Sequence, residues 1–238
     1  LSYFDTNTTF AMDVVVQSLG AVVALIATGL RSFSDLFLTQ PSRATLKHLE
    51  ETDLKPLTGG MFIKYFLNAK RLWEKSGAVI MALCHLAIGL CGVILQEAAE
   101  LSSLKPQLEE LGVPLYAVVK EDIGTEIQNF RPYFNGEIFM DEKRCFYGPR
   151  ERKMGLLAFL RLGVWMNGLR AFKNGFLGNV FGEGFVLGGV FVIGAGQQGV
   201  LLEHREMEFG DKVNILDVLK AARKVQTELV SRYASVPL

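Results

Sequence analysis

Two short, nearly unbroken apolar runs, Ala78–Ala82 (AVIMA) and Val113–Val119 (VPLYAVV), limit most strongly how this chain can fold. Runs this short, bounded by glycine and rich in β-branched residues, read as strands covered on both faces. Between them Ile94, Ala98, Leu101, Leu104, Leu108 and Leu111 recur three and four residues apart, the spacing of one helical face. A strand, a helix and a second strand in that order make a parallel pair with a right-handed crossover. Pro106 is expected to kink the helix or restart it as a first-turn proline, and Gly112 to stop it.

Downstream, Glu121–Phe130 reads as a helix and Glu137–Met140 as a short strand. Phe185–Ile193 and Val200–Arg205 read as two strands around a glycine-rich turn. Asn214–Val225 closes the chain as a helix with Ile215, Leu216, Leu219 and Ala222 on its apolar face. Lys153–Phe172 is expected to be a buried or interfacial helix. Upstream, one helix is expected from Pro41-Ser42 through Leu46, Leu49 and Leu54, ended by Pro56 and Gly59-Gly60. A second, Leu67–Lys75, carries Trp73, and Gly77 then releases the chain into the first strand.

Gly194-Ala-Gly196-Gln-Gln-Gly199 matches the dinucleotide pattern G-x-G-x-x-G. That motif works only if a helix comes next, so that its N-terminus can hold the pyrophosphate. The next residues, Val200-Leu-Leu-Glu-His204, are strand-like, so these glycines serve a hairpin and no cofactor is expected. No set of His, Cys, Asp and Glu has metal-ligand spacing. Lys plus Arg equals Asp plus Glu, 25 each, with no basic run, which argues against nucleic acid as a partner.

Residues 14–30 carry no charge, and a stretch of that length sits at the lower edge of a membrane span. It reads either as a membrane-associating helix or as an apolar helix packed on the domain. Arg31, Arg43 and Lys47 come after it, and would hold the main body in the cytosol if it inserted. Three cysteines do not form a secreted disulfide framework, so a cytoplasmic, reducing compartment is expected. Asn7-Thr8-Thr9 is a glycosylation sequon only if the N-terminus is exported, and secretion stays open.

The candidate chemistry lies between the first strand and its helix, where Cys84 and Cys91 occur. A thiol at a strand-to-helix junction meets unpaired N–H groups and the positive end of the helix dipole, both of which favour thiolate. The opposing reading is two small buried hydrophobes. His85 beside Cys84, His204 on the hairpin and Cys145 in a charged surface turn are weaker candidates.

A cysteine-bearing βαβ unit, then a hairpin and a final helix, is the order of a thioredoxin fold. The runs LWEKSGAVIMA (72–82), EAAELSSLK (97–105), ELGVPLYAVVKE (110–121), YFNGEIFMDEK (133–143), FYGP (146–149), RLGVW (161–165) and GEGFVLGGVFVIG (182–194), with LLEHRE and EFGDKVN beyond, resemble the peroxiredoxin-like family of the thioredoxin superfamily. The resemblance implies an α/β thioredoxin-like fold, a central mixed sheet flanked by helices, over residues 72–227. An extension with the hydrophobic helix (1–71) precedes it and a short tail (228–238) comes after. It further implies a redox-regulatory antioxidant that reduces disulfides or peroxides with help from a thiol reductant of the glutathione or thioredoxin type. Alternatives are a redox-impaired binding or signalling protein, or a prostaglandin-reducing enzyme as in a sister subfamily. Oligomeric state is left open.

The family is similar to thioredoxin in placing Cys-x-x-Cys between strand and helix, and here the chain departs from it. Counted back from Glu97-Ala98-Ala99, Cys91 falls on the first family cysteine and Ile94 on the second. Counted forward from Ala82, Cys91 falls on the second and Ile88 on the first. The helix-side register is preferred, because a loop takes extra residues more cheaply than a helix. The resemblance therefore assigns the attacking role to Cys91, with Cys84 as the cysteine that could swing in from the loop.

Overall fold

The computed structural model describes residues 3–35, 43–58, 61–83, 91–121, 125–148, 151, 166, 169, 170, 173, 186–208 and 210–234. Its strands are β1 (Asp53–Thr58), β2 (Met61–Phe62), β3 (Leu67–Asn68), β4 (Ala78–Ala82), β5 (Leu115–Val119), β6 (Glu137–Met140), β7 (Gly189–Ile193) and β8 (Val200–Arg205). They form one sheet in the order β2-β1-β6-β5-β4-β7-β8, with β3 paired to β1. Strand β4 runs parallel to β5, and β5 to β6. The hairpin β7–β8 closes one side antiparallel to β4.

The helices are α1 (Tyr3–Asp35), α2 (Leu46–Glu50), α3 (Cys91–Ser103), α4 (Lys105–Glu110), α5 (Thr125–Phe130) and α6 (Ile215–Ala234). Pro106 lies in the first turn of α4, so the proline restarts the helix where its missing N–H costs no bond. Gly112 then ends it at φ +65°. A parallel β4–α3/α4–β5 unit, the β7–β8 hairpin and the closing helix α6 make this a thioredoxin-like α/β fold.

Alternate residues of the strands feed two cores, as the period of two requires. Val79 and Met81 of β4, with Val190 and Val192 of β7, join Ile94, Ala98 and Leu101 of α3 and Val218, Ala222 and Val225 of α6. Ala78 and Ile80, with Phe191 and Ile193, face the other way onto Trp73, Phe146 and Tyr147. Each fully buried large apolar side chain contributes ~1.5–3 kcal/mol relative to exposure. The glycine-rich turn behaves as a hairpin should: Gly194 N–H donates to the Gly199 carbonyl at 2.9 Å. Gly196 and Gly199 take φ of 58° and 84°.

Several expectations are corrected. The helix expected through Leu54 ends at Glu50, and residues 53–58 form β1 instead. Leu49 and Leu54 are five apart, which is no helical period, and β6 is available to pair antiparallel with Lys55 and Pro56. The expected helix Leu67–Lys75 is β3 and then a 3-10 turn, Ala69–Leu72. On α6 the apolar face turns to Val218, Ala221, Ala222 and Val225, which leaves Leu216 69% exposed. Of the expected helix Lys153–Phe172 only residues 166, 169 and 170 are described, and they are helical.

The uncharged segment 14–30 is helical within α1. Among the described residues no helix is long and apolar enough to cross a membrane.

Candidate active site

The carboxyl ends of β4 and β5 are bolted together. Leu83 N–H donates to the Val118 carbonyl at 2.9 Å. The Tyr147 hydroxyl, on the turn after β6, lies 3.1 Å from the same carbonyl and 2.8 Å from that of Leu83. One phenol thus fixes the point where the chain leaves β4. The turn carrying Tyr147 is itself held by Asp141, whose carboxylate accepts Phe146 N–H at 3.0 Å and the Thr52 hydroxyl at 2.9 Å. Burial pushes the Asp141 carboxyl up, and those hydrogen bonds pull against it. Lys120, buried just beyond β5, pairs with Glu121 at 3.0 Å.

From this platform the chain reaches α3, whose first described residue is Cys91. Cys84, His85 and the rest of 84–90 lie outside the described residues. Ile94, three residues into the helix, is 4% exposed and packs in the core shared with β4 and α6. The backbone therefore puts one cysteine on α3 at the edge of the described residues and an aliphatic side chain, buried, at the partner position. Cys145 is not in a surface turn. It opens a 3-10 turn that buries Phe146 and Tyr147, and burial pushes its thiol up, away from reactivity. His204 is partly buried, its Nε2 3.2 Å from the Asp211 carbonyl. Among the described residues no group of three or more His, Cys, Asp or Glu could hold a metal ion.

Sequence reasoning missed Glu97. It sits on α3 six residues after Cys91, is 4% exposed, and accepts Val213 N–H at 2.8 Å from the segment between β8 and α6. Next to it Glu100 pairs with Lys212 and accepts the Gln96 amide at 2.8 Å. Burial raises Glu97 from 4.5 to about 7, the Asp211 and Glu100 charges add to that, and Val213 N–H and Lys212 oppose it. The signal was present: Glu97 falls between Ile94 and Leu101 on the apolar stripe, where a carboxylate needs a partner.

A carboxyl with a raised folded pKa holds its proton more tightly in the native state. Its contribution is full below the unfolded value and falls as pH rises from about 4.5 to about 7. Glu97→Gln keeps an acceptor for Val213 and removes the ionisation. The variant is expected to gain on the order of 2 kcal/mol over the parent at pH 8 and little at pH 4.5. Urea midpoints against pH read this directly, and parallel curves for the two proteins would refute it.

A family model described as AhpC/TSA antioxidant enzyme matches residues 100–208. The chain is 60% identical over 210 residues to peroxiredoxin-like 2A of Danio rerio, covering 88% of this chain and 96% of that one. It is 58% identical over 219 residues to the Gallus gallus protein of that name (92% and 95% covered). With the Homo sapiens protein it shares 52% over 231 residues (97% and 98%). Solved structures that superpose include a PrxQ mutant of Xylella fastidiosa, at TM-score 0.45 and 12% identity, covering 82% and 99% of the two chains. A Xanthomonas campestris bacterioferritin comigratory protein superposes at TM-score 0.43 and 13% identity, covering 76% and 96%.

Proposed function

This chain belongs to the peroxiredoxin-like 2A family, and from that premise we propose that it is a thiol-based antioxidant reductant in which Cys91 attacks. The observation that carries the reading is the position of Cys91 as the first described residue of α3, on the connection from β4. Unpaired N–H groups at a helix start favour thiolate by ~1 kcal/mol.

With a disulfide, the Cys91 thiolate attacks one sulfur, the S–S bond breaks, and the other sulfur leaves as thiolate. The mixed disulfide is then resolved by a second thiol, which leaves a disulfide behind. With a peroxide, the thiolate takes the distal oxygen and becomes a sulfenic acid, an alcohol or water leaves, and a thiol condenses on the sulfenic sulfur with loss of water. Since Ile94 stands three residues after Cys91, the second thiol comes from outside, a glutathione-class or thioredoxin-type reductant of a cytoplasmic compartment, or from Cys84. Ile94 at the resolving position also favours a second reading, a redox-impaired member that acts by binding.

Turnover separates the two. Cys91→Ser is expected to abolish glutathione-dependent reduction of insulin disulfides, Cys84→Ser to lower it severalfold, and Cys145→Ser to leave it unchanged. Alkylation should reach Cys91 at least tenfold faster than Cys145. Parent protein with no turnover above free glutathione would leave only the binding reading.

A further inference from the structure

The connection from β8 to α6 is tied to α3 by two carboxyl groups. Val213 N–H donates to the buried Glu97 carboxyl at 2.8 Å, and Lys212 pairs with Glu100, three residues further along α3. Its two ends are anchored independently of α3. Glu206 N–H donates to the Gly188 carbonyl at 3.2 Å, and Asn214 caps α6, its side-chain oxygen 2.9 Å from Leu216 N. Helix α6 packs through Val218, Ala222 and Val225. Lifting the connection from α3 therefore costs the two ties and the burial of Val213, but breaks no strand pair and leaves α6 packed. Strands β4 and β8 both run antiparallel to β7, so the connection leaves the sheet at the same end as the chain passing from β4 to α3.

Glu97 is the tie that titrates. Facing it are Glu100 on its own helix, and Asp211 and Lys212 on the connection. Lys212 is already paired with Glu100, and His204 of β8 faces Asp211, its Nε2 3.8 Å from Oδ1. Strands β4 and β7 and helix α6 turn apolar side chains to this core, among them Met81, Val190 and Val218. On the outer side an open cleft of about 690 Å³, lined by Glu100, Glu208, Asp211 and Asn214, brings water up to the connection. A neutral Glu97 carboxyl fits this setting and still accepts Val213 N–H. An ionised one adds a negative charge beside Asp211 and Glu100 out of water, and opening the connection hydrates it. We propose that Glu97 is a pH-sensitive latch, which holds the β8–α6 connection on α3 while protonated and lets it open, with the sheet still folded, once the proton is lost. Burial raises Glu97 from 4.5 to about 7 in the closed form, and opening returns it toward 4.5. The opening constant therefore climbs across that window and levels off on either side.

The test is amide hydrogen exchange of the full chain by NMR, each rate divided by the intrinsic rate at that pH. At Val213 the opening constant is expected to rise roughly fiftyfold from pH 5 to pH 8. The Val79 amide donates to the Pro114 carbonyl at 2.9 Å in the middle of the sheet and reports unfolding of the whole domain. It should exchange at least a hundredfold more slowly than Val213 throughout. In Glu97→Gln the rise at Val213 should vanish. Asp211→Asn removes one facing charge, keeps an acceptor for Met207 N–H, and should leave a smaller rise. His204→Gln removes the facing imidazole and should keep the parent profile. Four results would overturn the proposal. These are a flat parent profile, Val213 exchanging as slowly as Val79, a rise that persists in Glu97→Gln, and a rise that disappears in His204→Gln.

Discussion

Replacing Ile94 by cysteine is expected to raise insulin-disulfide turnover at least tenfold over the parent, with glutathione then reducing the disulfide between Cys91 and the introduced thiol to complete each cycle. Cys91 is the first described residue of α3 and Ile94 comes three residues later on the same helix. Helical geometry separates Cα atoms three apart by about 5 Å, within the ~4.4–6.8 Å range of disulfides. The new thiol would be buried where Ile94 is now 4% exposed, out of reach of solvent oxidants and within one helical turn of the attacking residue. In the parent an oxidised Cys91 waits for an external thiol, a bimolecular step. In Ile94→Cys resolution is intramolecular, and its effective concentration is the source of the gain. The substitution removes part of a packed side chain and should cost about 1–2 kcal/mol of stability. Insulin reduction measures the turnover, and mass spectrometry detects the disulfide between Cys91 and the introduced thiol. A variant that folds, forms no internal disulfide and gains no turnover would remove Cys91 from the attacking position.

The largest loss of stability from the smallest change is expected at Gly77. This residue takes φ +70° as the chain turns into β4, and a Cβ there would lie 2.6 Å from Val225 Cγ1 and 2.8 Å from the Ile193 carbonyl oxygen. Both neighbours are fixed, the first by the packing of α6 and the second by the end of β7. Gly77→Ala therefore adds left-handed backbone strain of ~1–2 kcal/mol to an overpacking cost of ~1–3 kcal/mol, roughly 3 kcal/mol together. Gly112 supplies the control. Its φ is +65° but nothing lies within 4 Å of its missing Cβ, so Gly112→Ala should show the strain alone. Urea midpoints of the two variants give the packing part by difference. Equal losses would mean that α6 and β7 give way at Gly77 more readily than their contacts suggest.

Both predictions start from stretches that could be read in the sequence. Ala78–Ala82 and Glu137–Met140 coincide with β4 and β6, and Val200–Arg205 with β8, because an apolar or alternating run next to turn residues signals a strand without reference to anything distant. Pro106 and Gly112 act through their own φ preferences, so the break between α3 and α4 and the stop after Leu111 were local facts too. The glycines of 194–199 could be separated from a cofactor loop because the deciding feature, a strand rather than a helix after Gly199, is written in the adjacent residues.

The tertiary structure alone decided everything set by a partner far along the chain. Asp53–Thr58 becomes a strand because β6 offers it a ladder, and its own composition, with Pro56 inside, does not ask for one. Cys145 is buried because its neighbours Phe146 and Tyr147 pack with Ile80 of β4 and Phe191 of β7, which draws the turn into the core. Glu97 keeps its proton toward neutrality because it is buried and faces the Asp211 charge, while Val213 N–H, 116 residues along the chain, holds it in place. Periodicity reports which face of an element is apolar. Which group meets that face, and so what a buried carboxyl or thiol can do, depends on long-range contacts that local pattern does not contain.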